Sequence, residues 1–83
     1  MPELPRSLTV IAGEIRRDWS TAKSGVYFGA VPYLQAMFDL DTIDDKYIED
    51  SARSIVRYFL ANANTWRGET ARRVKKELKG MVA

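Results

Sequence analysis

Apolar side chains recur at three- and four-residue intervals in four stretches of this chain, and small or polar residues separate the stretches. That spacing lines one face of an α-helix. In the first stretch Leu8, Ile11, Ile15 and Trp19 share a face behind Ser7, whose hydroxyl suits an N-cap, and a helix over 8–19 is predicted. Thr9 and Val10 lower its propensity, and Gly13 costs about 1 kcal/mol relative to Ala, so the stripe must be held by packing. The cluster at 20–25 is small and polar and predicts a loop.

Pro32 marks the next start, because a proline loses nothing in the first helical turn, where its missing N–H has no partner. A second helix is predicted from between Ala30 and Pro32 to Leu40, with Leu34, Met37 and Phe38 on one face and Tyr33 beside them. The valine and aromatic residues of 25–31 would also suit a strand, but no second strand is in sight to pair with it, and that reading is set aside. The third helix has the widest stripe: Ile48, Ala52, Ile55, Val56, Phe59 and Ala63, broadened by Leu60, with Glu49 and Arg53 paired at i, i+4 on the far side. Asn62 or Asn64 then closes it or caps the next helix. In the fourth, Ala71, Val74 and Leu78 form a narrow apolar edge, and Gly80 is placed to end the helix.

The expected fold is therefore all-α: one compact single-domain bundle of about four helices over residues 1–83, centred on the third, with 1–6 and 81–83 frayed. The length of 83 residues suits one modest core and not two, and 46% apolar with 29% charged residues is a globular composition.

The chain has no cysteine and no histidine, which removes thiolate chemistry, the usual transition-metal ligands and the commonest general base. No enzyme, cofactor or metal is expected. Apolar runs fall far short of the roughly 20 residues of a membrane span, so no membrane partner is expected either. Charged residues from Glu14 to Asp18 interrupt the N-terminal region as a secretion signal would not, and a cytoplasmic location is expected.

Charge is unevenly distributed. Residues 39–50 carry one lysine against six carboxylates, whereas 51–83 carry eight Lys or Arg against two Glu. The acidic waist spans the twelve residues of a calcium loop, but Ile43 stands where a ligand is needed, Asp44 where glycine turns the chain, and Asp50 where a bidentate Glu belongs. Its acids are better read as crowding the positive end of the third helix dipole.

Two surfaces are candidate binding sites. Arg67, Arg72, Arg73, Lys75, Lys76 and Lys79 make the fourth helix strongly basic, and helix, turn, helix is the outline of a DNA-binding motif. A solvated face, or one neutralised by the acidic waist, is the preferred reading of those charges. Among the aromatics, Phe28 is assigned to the core, whereas Tyr27 and Tyr33 are left between core and surface, and with Trp66 they are the candidate protein-binding residues.

At "VYFGAVPYLQAM" and "YFLANANTWRGETARRVKKELK" the chain resembles a family of short, uncharacterised proteins encoded by phages, prophages and related elements of Gram-positive bacteria. The resemblance covers most of 8–79. It implies work inside a bacterial cell for a mobile element, and no catalytic residue. The expected function is a small helical protein-interaction module; the alternative is a nucleic-acid-binding accessory protein using the basic helix in a helix-turn-helix-like arrangement. Self-association into a homo-oligomer is open beside both.

Overall fold

The computed structural model of the chain describes residues 6–21 and 25–83. Ser7 opens α1 (Leu8–Trp19), its hydroxyl accepting from the Val10 amide at 3.3 Å, and Leu8, Ile11, Ala12, Ile15 and Trp19 are buried along one face. Of the expected loop over 20–25, residues 22–24 lie outside those described. A 3-10 turn over Phe28–Ala30 leads into α2 (Val31–Phe38), which carries its proline in the first turn. α2 stops at Phe38, yet Leu40 still enters the core. The start of α1 holds this exit in place: Thr9 Oγ1 donates to the carbonyls of Phe38 and Leu40 at 3.1 and 2.8 Å, and the Leu8 amide donates to the Asp41 carbonyl at 2.9 Å.

The acidic waist departs from the predicted pattern. Asp45 folds back on the chain, its carboxylate accepting from the amides of Asp41 and Thr42 at 2.9 and 3.1 Å and from the Thr42 hydroxyl at 3.0 Å. These bonds compete with helix formation, as short polar side chains do when local amides are within reach. A small antiparallel ladder follows, β1 (Lys46–Tyr47) against β2 (Asp50–Ser51), with Ile48 and Glu49 at its turn. Ile48 sits at φ 57° and is 84% exposed, so the residue expected to open the third helix stands instead at a hairpin tip.

α3 (Ala52–Ala61) begins only after Ser51, whose hydroxyl caps the Ser54 amide at 3.1 Å. The expected Glu49–Arg53 pair does not form, because Glu49 is not helical. Arg53 turns to the end of α4 (Glu69–Val82), donating to the Met81 carbonyl at 2.9 Å, while Arg57 donates to the Val82 carbonyl at 3.0 Å. Two guanidinium groups thus satisfy carbonyls that a left-handed glycine would otherwise relieve. Gly80 accordingly lies inside the helix, and Met81 and Val82, expected to fray, are helical and half-buried. The expectation of fraying at 1–5 concerns residues outside those described.

Among the described residues the fold is mostly helical, four α-helices with a two-residue ladder, rather than purely α. Its centre is aromatic. Trp19 from α1 stacks on Trp66 from the α3–α4 connection, ring centres 5.6 Å apart and 16° from parallel, and Phe59 from α3 meets both rings edge-on at 6.1 and 6.5 Å. Ala71, Val74 and Leu78 of α4 close this core, as their spacing predicts.

Candidate functional site

The connection between α3 and α4 positions both candidate surfaces. Asn62 ends α3, its carboxamide donating to the Tyr58 carbonyl at 2.8 Å while its backbone amide points to the last carbonyls of the helix. Ala63 is buried, and the Trp66 amide bonds to its carbonyl at 3.1 Å, which turns the indole inward. Trp66 is 1% exposed, and its Nε1–H reaches Asp18 Oδ2 at 2.8 Å. Its expected place in a surface patch is therefore wrong: the core needs a flat ring against Trp19, and Asp18 accepts the indole proton, so the polar edge is satisfied without water. Gly68 then adopts φ 112°, a conformation that side chains resist, and α4 starts without a side-chain cap and with Glu69 in its first turn.

Placed about 100° apart around α4, the basic residues divide between two flanks. Arg73 faces α1. It pairs with Glu14, which also lies 2.9 Å from Arg6 Nη2, near enough for charge pairing although that oxygen accepts no directed hydrogen bond. Arg6 in turn holds both oxygens of Glu77, at 2.6 and 3.0 Å. Burial pushes the Glu14 carboxyl up, but the hydrogen bond from Arg73 and the positive charges of Arg73 and Arg6 together prevail and leave it below the ordinary carboxylate value.

The other flank holds Arg72, Lys75, Lys76 and Lys79, with Arg67 beside them. Lys75 Nζ donates to the Trp66 carbonyl at 2.6 Å. Its pKa is lowered, first by burial and then by the positive charges of Lys79 and Arg67. Arg67, Arg72, Lys76 and Lys79 are exposed and form no ion pair among the described residues. The acidic waist does not neutralise them. Its one ion pair among the described residues is Asp44 with Arg53 on α3, at 3.5 Å, and Asp45 is engaged with its own neighbours. Among the described residues the carboxylate that pairs with a cation of α4 is Glu14 on α1, and its partner there is Arg73.

The aromatic stretch also rearranges. Phe28, assigned to the core, is 80% exposed, because the tight 3-10 turn buries Ala30 and points the preceding ring outward. Tyr27 is exposed with its ring 5.0 Å from that of Phe28. It lies over Gly29, where an added Cβ would come within 2.6 Å of Tyr27 Cε2 and 3.1 Å of Asn62 Oδ1. Tyr33 is half-buried, 5.4 Å from the exposed ring of Tyr58. Tyr58 was not singled out by the sequence, since it sits just off the apolar stripe of α3. Between Tyr27 and the connection is an open depression of about 370 Å³ lined by Tyr27, Ala61, Asn62, Asn64 and Thr65.

Among the described residues no three carboxylates converge as metal ligands, and no helix is long and apolar enough to cross a membrane.

These charges set a pH dependence. The Asp45 carboxyl is held low by the Thr42 and Asp41 amides and the Thr42 hydroxyl, and Glu14 is low as well. A carboxyl whose folded pKa lies below its unfolded value takes up protons more readily in the unfolded chain. Its stabilisation is complete above the unfolded value, about 4, and is lost as pH falls through the folded value. The urea midpoint is expected to be level near neutrality and to decline below about pH 4. Glu14→Gln should flatten part of that decline while lowering the neutral-pH midpoint; a decline of unchanged steepness would exclude Glu14 as a source.

No family model, curated protein or solved structure matches this chain.

Proposed function

We propose that the protein binds nucleic acid through the cationic flank of α4. The observation that carries this reading is a cluster of exposed cations: Arg67, Arg72, Lys76 and Lys79 lie exposed beside Lys75 and have no ion-pair partner among the described residues, where the one ion pair of the acidic waist goes to Arg53 instead. Clustered like charges repel one another and are relieved by a polyanion, whose condensed counterions are released on binding. The protein-interaction reading has lost its largest member, since Trp66 is a core residue.

The mode of binding is also narrowed. Seven residues, 62–68, connect α3 and α4, more than the three or four of a helix-turn-helix. The first turns of α4 carry Glu69, which repels phosphate, Arg73, which Glu14 holds, and Arg72, which belongs to the cationic flank. The side of the helix, not its N-terminal end, is the available surface, and a side with cations but no base-reading pattern favours backbone contact over sequence readout.

Fluorescence anisotropy with mixed DNA and RNA fragments across a salt titration tests the reading. Four contacts at about 0.7 to 0.9 per phosphate give an expected slope of log affinity against log salt of about −3. Binding that ignores salt, or none at low ionic strength, rules it out.

A further inference from the structure

Three features succeed one another from Tyr27 through the α3–α4 connection to α4. At one end the rings of Tyr27 and Phe28 stand 5.0 Å apart, and Phe28, the most costly side chain to leave in water among its neighbours, is 80% exposed. The 3-10 turn sets the backbone here, and the missing Cβ of Gly29 lets the Tyr27 ring lie against it beside Asn62. In the middle is the depression lined by Asn62, Asn64 and Thr65, whose carboxamides and hydroxyl can both give and accept hydrogen bonds. Thr65 leads through Trp66 to Arg67, the Trp66 carbonyl anchors Lys75, and Lys79 stands one helical turn beyond Lys75 on α4, so the far end is the cation cluster of Arg67, Lys75 and Lys79.

Cations, hydrogen-bonding groups and a free aromatic face in that order match one ligand chemistry. Phosphates require the first, base edges the second and base faces the third. In a duplex the faces are stacked inside and out of reach, so the aromatic end can be used only by an unpaired strand. The geometry points to single-stranded nucleic acid as the ligand, its backbone following Arg67 and the cationic flank of α4 and a base stacked on Tyr27 and Phe28. This rests on the nucleic-acid reading above and adds to it the strandedness of the ligand and the second half of its site.

The test uses the full chain with fluorescent oligo(dT), oligo(U) and a DNA duplex of equal length, in native and Phe28→Ala forms. Phe28 lies outside the core, so the variant should keep the native urea midpoint. The native protein is expected to bind the single strands more tightly than the duplex. Phe28→Ala should weaken single-strand binding roughly 5- to 100-fold, the range for loss of one base–aromatic stack, with duplex binding and the salt slope unchanged. A preference between oligo(dT) and oligo(U) tells DNA from RNA. Equal affinity for duplex and single strand, or single-strand binding indifferent to Phe28→Ala, overturns the inference, leaves the cationic flank standing and returns the aromatic pair to protein docking. No binding to any probe at low salt overturns the nucleic-acid reading with it.

Discussion

Trp66→Ala is expected to leave most of the protein unfolded or close to unfolding at 25 °C. The indole is the meeting point of three elements: it stacks on Trp19 of α1, takes the edge of Phe59 of α3, and sits in the connection that launches α4. Truncating a buried tryptophan costs about 3 to 5 kcal/mol, because transfer energy is lost and the cavity closes only in part. A domain of this length has roughly 4 to 12 kcal/mol of stability in all. The substitution also strips Asp18 of the indole donor at 2.8 Å, leaving a half-buried carboxylate without that partner. Trp66→Phe separates the two losses: it keeps an aromatic plate against Trp19 and removes only the donor and part of the volume, so about 1 to 3 kcal/mol is expected. Urea denaturation of both variants, followed by far-UV circular dichroism, measures the difference. If Trp66→Ala shifted the midpoint no further than a surface substitution would, the stacked core described here would be wrong.

The sequence shows why such a residue was hard to place. Trp19 could be assigned to the core because Leu8, Ile11 and Ile15 precede it at helical spacing; Trp66 lies between Asn64 and Gly68, in a segment with no period to extrapolate. Periodicity located α1 and the buried edge of α4 closely, since there the partners are repeated along one helix. It failed at Ile48, where the spacing to Ala52 matches a helix by coincidence. The deciding contacts there are the Asp45 carboxylate on the Asp41 and Thr42 amides and the hydroxyl of Ser51 on Ser54. Ser51 just ahead of Ala52 was an available sign of the true start.

The candidate site was legible in composition and hidden in arrangement. Six basic residues at 67–79 are obvious, but that Arg73 is held by Glu14, 59 positions earlier, while its neighbours across α4 have no ion-pair partner among the described residues, depends on how α1 packs. The acidic waist looked like a natural counterion because it is close in sequence. Among the described residues, though, its one ion pair is Asp44 with Arg53, and Asp45 is taken up by local hydrogen bonds. Phe28 was misplaced for a related reason: aromatic residues fill small cores on average, and only the turn that buries Ala30 decides which of two adjacent side chains faces inward.

Replacing Arg72, Lys76 and Lys79 together by alanine is expected to lower affinity for a single strand about 100-fold at about 0.1 M salt. Each phosphate contact contributes roughly 0.7 to the salt slope, so removal of three should flatten it by about 2, and the same quantity multiplied by the logarithm of the salt concentration gives the affinity loss. Folding should survive, because all three side chains are exposed, none has an ion-pair partner among the described residues, and alanine favours a helix. Net charge alone could mimic the result, so Arg17→Ala with Lys46→Ala serves as the control: both are exposed, one on α1 and one in the waist ladder. Removing them should leave the slope as it was. Arg73→Ala is a second contrast, since its guanidinium is already paired with Glu14 and should contribute more to folding than to binding. Equal weakening by the control pair would reduce the interaction to a general attraction for a basic protein, and no weakening by the triple change would return the cations of α4 to the role of a solvated face.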